Sequence, residues 1–143
     1  MATKVCTSEK FQGLYIAGPM RGHEEFNFPA FMSAERRTAA GLTGVPKDKY
    51  AIYNPARIDI ELDNLDTTGM EGTLEELEEA GFPNGPRHYL RRDCLILCDK
   101  CNAIYLLKGW EKSKGARVEA ALADCFDFLF FYEEGATKYD YKV

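Results

Sequence analysis

The residues able to do chemistry collect in two short loops and one helical stretch. The first loop is Gly18-Pro19-Met20-Arg21-Gly22, between an apolar run and a helical pattern. Glycines admit positive φ and let a ligand approach the backbone closely. Exposed N–H groups ahead of a helix favour an anion, and Arg21 adds a planar charged fork suited to phosphate. The pattern is neither a Walker loop nor G-x-G-x-x-G, and a plain strand-to-helix turn with a solvated arginine would carry the same residues. The second loop, Ser113-Lys114-Gly115-Ala116-Arg117-Val118-Glu119, has the same form. Ser113 is suited to cap a helix or to bind phosphate. Glu119 falls in the first turns of that helix, where the dipole favours a carboxylate; an ordinary capping carboxylate would read the same way.

Asp93 is the third chemical feature. It lies beside an apolar stripe of Leu90, Cys94, Leu97, Cys98 and Cys101, spaced for one helical face. A carboxylate on that inward flank is costly unless it is paired or used. On the helical wheel Arg91 and Arg92 point elsewhere, while Arg87 and His88 are near enough in sequence to compensate. Cys98-Asp99-Lys100-Cys101 is a C-x-x-C. A zinc site would need two more ligands, and a redox pair should open a helix, whereas this one closes it. Both cysteines fit the apolar stripe, so the expectation is core packing and no metal. His23, Tyr105 and Trp110 are aromatic candidates for a pocket wall, Trp110 as a surface on which a base stacks.

The elements that must hold these groups alternate. Strands are expected at Gly13–Ala17, Tyr50–Tyr53, Asn102–Leu107 and Phe128–Tyr132. Helices are expected at Pro29–Ala40, Arg87–Cys101 and Ala116–Asp124, the last with Val118, Ala121, Leu122 and Cys125 inward. Arg57–Pro86 reads either as a lid or substrate loop or as a variable surface insertion, with a short acidic helix at Leu74–Ala80, and the tail from Glu133 reads as an end that frays or docks on a neighbour. Strand–helix alternation implies an α/β fold with a parallel sheet of four to five strands flanked by helices. Ligands bind such sheets at the carboxyl ends of the strands, where both loops fall. Leu95 and Ile96, apolar off the core stripe, suggest a subunit interface.

The 143 residues make one domain, with a net charge of −5. That balance argues against a polymer nucleic-acid binder or an anionic-membrane binder. No stretch approaches the ~20 apolar residues of a membrane span. The expectation is a cytoplasmic protein whose five cysteines are reduced thiols.

Three segments in order, Tyr15-Ile16-Ala17-Gly18-Pro19-Met20-Arg21-Gly22, Asp93 in its helix, and Ser113-x-Gly115-x-x-x-Glu119, resemble the nucleoside 2-deoxyribosyltransferase superfamily. That superfamily includes the 2′-deoxynucleoside 5′-phosphate N-hydrolases and small phage and bacterial relatives. The resemblance covers about Leu14 to Asp124, with Arg57–Pro86 unmatched. It implies a flavodoxin-like sheet and cleavage of an N-glycosidic bond, by hydrolysis or deoxyribosyl transfer, with no cofactor. Glu119 matches the family's nucleophile, Asp93 the carboxylate that orients the sugar or passes a proton to the base, and Tyr15 the tyrosine that places the nucleophile. Gly18, Arg21, Gly22 and Ser113 match the phosphate-binding set; Met20, Gly115 and Arg117 lie within the same loops. The small-molecule partner would be a nucleotide or nucleoside, in a homodimer or larger homo-oligomer. Pro19 and Arg117 depart from the N-hydrolase pattern: Pro19 removes a possible N–H donor, and Arg117 either binds phosphate or fills the pocket. The competing expectation is a non-catalytic protein that binds and sequesters nucleotides.

Overall fold

The structure, a computed structural model, describes residues 12–46, 50–79 and 85–140, with the side chains of residues 85 and 86 left aside. Strand β1 (Gly13–Ala17) is followed by helix α1 (Phe28–Ala39), β2 (Ala51–Tyr53), α2 (Pro55–Asp63), α3 (Leu74–Glu79), α4 (Gly85–Lys100), β3 (Ala103–Leu106), α5 (Lys114–Cys125) and β4 (Leu129–Tyr132). All strand pairs are parallel, in the order β2-β1-β3-β4. The fold is α/β and flavodoxin-like. β1 and β3 are buried along their whole length, as continuous apolar runs in the middle of a covered parallel sheet should be.

The period of two along β1 decides what faces what. Leu14 and Ile16 point to one face, where Phe28, Phe31 and Ala34 of α1 and Ala56 of α2 cover them. Tyr15 and Ala17 point to the other, toward Leu97 of α4, Cys101 just after it, and Ala116, Ala120 and Ala123 of α5. Tyr15 is thereby turned toward the helix that bears Glu119.

The stretch expected to be an insertion contains an unforeseen helix, α2. Its start is written in Asn54-Pro55: the Asn54 side chain accepts from the N–H groups of Ala56 and Arg57 at 3.0 and 3.4 Å, and Pro55 occupies the first turn. α4 begins at Gly85, ahead of Arg87, because a proline is tolerated in a helix's first turn. Residue 80, the expected end of α3, lies outside the described residues, as do Cys6 and residues 141–143. The tail through residue 140 folds back on its own chain. Tyr139 stacks on Trp110 at 6.0 Å, the Trp110 indole N–H donates to the Thr137 carbonyl at 2.7 Å, and the Tyr139 N–H donates to the Tyr132 hydroxyl at 2.9 Å.

Two helical faces differ from expectation. On α5 the inward residues are Ala116, Glu119, Ala120 and Ala123, while Val118, Ala121 and Cys125 are exposed. Alanines let the helix sit close on the sheet, and bulkier residues turn outward. On α4 the expected Leu97 is buried, with Asp93 on the same side and Cys101 buried just after the helix, but Cys98 turns to solvent and is not a core cysteine. No helix among the described residues is long and apolar enough to cross a membrane.

Candidate active site

β1 and β3 are neighbours whose following helices cover opposite faces of the sheet, so the loops leaving them diverge and open a crevice. A cavity of about 470 Å³ occupies it. Tyr15, Asp93 and Glu119 all line it. The Tyr15 hydroxyl donates to Glu119 Oε2 at 2.5 Å. Glu119 is 6% exposed and Asp93 8%.

Burial dominates the electrostatics. It pushes the Glu119 carboxyl up to about 8, helped by the negative charge of Asp93 and opposed by the Tyr15 hydrogen bond. Burial likewise raises Asp93 to about 6, against the pull of Arg92 and the Tyr15 hydroxyl. The Tyr15 phenol is driven upward by burial and by both carboxylates, so it stays a proton donor. One oxygen of Asp93, Oδ1, is fully buried with no hydrogen-bond partner among the described residues. A buried lone acceptor of this kind is costly unless a ligand meets it.

Gly18, Met20, Arg21, Ser113 and Gly115 also line the cavity, and Lys112 and Lys114 join them. The Ser113 hydroxyl accepts from the Ala116 N–H at 3.2 Å and caps α5, which aims that helix's N-terminus at the crevice. Gly18 has a different reason from the one expected. A Cβ there would sit 2.7 Å from Leu107 Cβ, so the glycine is needed for close packing of the loop on the residue after β3.

Gly22 and Arg117 are not in the lining. Gly22 is spent on structure: its N–H donates to the Gly72 carbonyl at 2.8 Å. Arg117 is exposed on the outward side of α5 and does not fill the pocket. Trp110 is buried beneath the tail, outside the lining, and Tyr105 belongs to the core on the opposite face. His23, by contrast, lines the cavity.

Asp59 is the residue that sequence reasoning missed. It lines the cavity from α2 and is 6% exposed. Arg92 donates to Asp59 and, at 3.0 Å, to Asp63, and its Nε lies 4.0 Å from Asp93 Oδ1. Arg92, not Arg87 or His88, is therefore the cation beside Asp93. α2 supplies carboxylates on the flank where Arg92 emerges, and a helical wheel of α4 by itself does not contain them. The Asn54-Pro55 helix start was the available signal.

One wall is held in an unusual backbone. Glu25, Phe26 and Asn27 have φ of 52°, 53° and 60°, a run of left-handed residues without glycine. Backbone bonds fix it: Glu25 N–H to Met70 O at 2.7 Å and Phe26 N–H to His23 O at 2.9 Å. The Asn27 amide adds a bond to the Pro19 carbonyl at 2.9 Å. The turn brings buried Phe26 into the lining.

Among the described residues no three His, Cys, Asp or Glu side chains are grouped to hold a metal ion. A family model described as "Domain of unknown function (DUF4406)" matches residues 12–130. No curated protein and no solved structure matches the chain.

Proposed function

The chain belongs to the DUF4406 family, and for it we propose cleavage of the N-glycosidic bond of a 2′-deoxynucleoside 5′-monophosphate. The observation that carries the reading is the short Tyr15–Glu119 hydrogen bond beside Asp93, in a cavity rimmed by Arg21, Lys112, Lys114 and the N-terminus of α5. Carboxylates cleave glycosidic bonds by attack at an anomeric carbon through an oxocarbenium-like transition state. Glu119 forms a C1′–O bond as the C1′–N bond breaks. The electron pair leaves with the base, which takes a proton from Asp93 or through it. Water or an acceptor base then resolves the glycosyl-enzyme, giving hydrolysis or transfer. Tyr15 holds the nucleophile in place, and the 5′-phosphate is met by Arg21, Ser113 and the α5 N–H groups. The raised carboxyl groups favour a site that retains a proton near neutrality, which the departing base requires.

The test is incubation with a panel of 2′-deoxynucleosides and their 5′-monophosphates, with and without a free acceptor base, followed by chromatography. Released or exchanged base is expected, faster from monophosphates. A panel that binds and releases no base sinks the catalytic reading. The nucleotide-sequestering alternative would then stand, and one observation favours it: a Glu119 carboxyl raised to about 8 is mostly protonated at neutral pH and a weak nucleophile in that form.

The reading includes a cytoplasmic homodimer or larger homo-oligomer. Its support is three exposed apolar residues, Leu95 of α4, Val118 of α5 and Phe126 just after α5, which are 47%, 44% and 53% exposed. Sedimentation should give more than one chain per particle, and Val118→Arg should shift it toward the monomer. A wild-type protein that sediments as a monomer at micromolar concentration rejects the assembly.

A further inference from the structure

Beyond the nucleophile end and the phosphate rim, the cavity has a third sector. Leu65, Leu74 and Leu77, from the segment first read as an insertion, line it, as do Phe26, Phe28 and Tyr89, and Leu65, Leu77, Phe26 and Phe28 pack in one apolar cluster. These walls are apolar and in part aromatic, a surface for a flat heterocycle. Asp59 is the carboxylate that the same segment sets into this lining.

Asp59 is presented as an acceptor. Its side-chain hydrogen bonds among the described residues come from Arg92, on Oδ1 alone. Burial raises its carboxyl to about 7 and Arg92 opposes that rise, so the ionised, accepting form is populated at neutral pH. Arg92 is itself occupied by Asp59 and Asp63 and is not part of the lining. Arg92 also orders the site: it donates to Asp59, and its Nε lies 4.0 Å from Asp93 Oδ1. Glu119 is held instead by Tyr15. Asp59 is thus the neighbour, across one guanidinium, of the carboxylate assigned to the departing base.

Resting on the nucleotide reading above, we propose that Asp59 is a specificity-determining residue that selects bases bearing an exocyclic amino group. Its second carboxylate oxygen accepts from that group. Adenine, cytosine and guanine each offer an N–H₂ donor, and a carboxylate accepts readily from such an amine. Thymine offers carbonyl oxygens beside its single ring N–H, and their lone pairs face the carboxylate unfavourably. A site built around a buried hydrogen-bonding group discriminates against a ligand that leaves it unpaired far more strongly than an apolar wall does.

The experiment measures binding by calorimetry and base release by chromatography for the four common deoxynucleoside 5′-monophosphates. The proteins are the wild type, Asp59→Asn and Asp63→Asn. The wild type should bind the three amino-bearing nucleotides about tenfold or more tighter than thymidine monophosphate. Asp59→Asn, whose amide both donates and accepts, should bring the ratio within about threefold. Asp63→Asn removes a partner of Arg92 without touching the lining and should keep the wild-type ratio. Should Asp59→Asn fail to fold, Asp59→Glu keeps a partner for Arg92 while moving the accepting oxygen, and the ratio must still change. Equal wild-type binding of all four, or the same change in ratio from both asparagine variants, overturns the inference. Selective binding that collapses in Asp59→Asn with no base released from any nucleotide supports it while rejecting catalysis. No binding of any nucleotide rejects both.

Discussion

Glu119→Gln should lower base release by about ten-thousandfold or more, the scale seen when a residue that acts as part of a catalytic unit is removed. Glutamine keeps the volume of the side chain and an oxygen to accept from Tyr15, so the fold should persist. What it lacks is the anionic oxygen that bonds to the anomeric carbon. The same variant has a second signature independent of substrate. The Glu119 carboxyl is raised from 4.5 to about 8 in the fold. Between those values the folded chain holds a proton that the unfolded chain has released, so this group's contribution to stability is full below 4.5 and is lost as pH rises through about 8. Asp59, raised from 3.8 to about 7, and Asp93, raised from 3.8 to about 6, act with the same sign. The wild type should therefore melt at a higher temperature near about pH 5 than near about pH 9. Glu119→Gln should flatten the upper part of that slope and leave the part due to the two aspartates. Base release at the wild-type rate would rule out Glu119 as nucleophile, and an unchanged slope would rule out its buried, proton-holding state.

Gly72→Ala should cost about 3–4 kcal/mol of stability, read by urea unfolding. Gly72 has φ of +95°, and a Cβ there would lie 2.2 Å from the backbone oxygen of His23. Flexible side-chain motion does not relieve a clash with backbone. The added methyl must push residues 70–72 away from residues 22–25 and break the bonds from Gly22 N–H to Gly72 O and from Glu25 N–H to Met70 O, at 2.8 and 2.7 Å. Those bonds hold the left-handed turn that places Phe26 in the cavity, so nucleotide binding should weaken along with the fold. Gly44→Ala is the control: Gly44 also has positive φ, +78°, but no atom lies within 4 Å of its would-be Cβ. It should show only the conformational cost, about 1 kcal/mol. Equal losses at the two positions would mean that the contact with His23 has no role.

Much of this layout was legible because it follows from local patterns. The four strands and the helices α1, α4 and α5 were readable from apolar runs punctuated by glycine and proline, with boundaries within about two residues. The two loops were readable as carboxyl-end loops because a parallel sheet leaves them nowhere else to go. Which residues of α5 turn inward was not, nor was the outward turn of Cys98 on α4, whose other expected core residue Leu97 is buried. Val118 is apolar enough for a core, yet Ala116, Ala120 and Ala123 take the inward positions. A helix's rotation is set by which residues let it approach the sheet while its polar residues reach a partner. Both of those conditions involve other elements.

The sequence by itself determined that this is an α/β domain, that its carboxyl-end loops carry glycines, a serine and cations, and that Asp93 sits where a carboxylate needs a reason. Only the tertiary structure decided that Tyr15, Asp93 and Glu119 share one cavity. It also decided that Arg92 is the cation beside Asp93, that Gly22 and Arg117 stand outside, and that Asp59 stands inside. The physical reason is range. Strand period, helix period and turn chemistry act over a few residues and are written locally. The Tyr15–Glu119 bond joins positions 104 residues apart, and the Arg92–Asp59 pair joins positions 33 apart. Such contacts exist only once α5 has been docked on β1 and α2 has been brought beside α4.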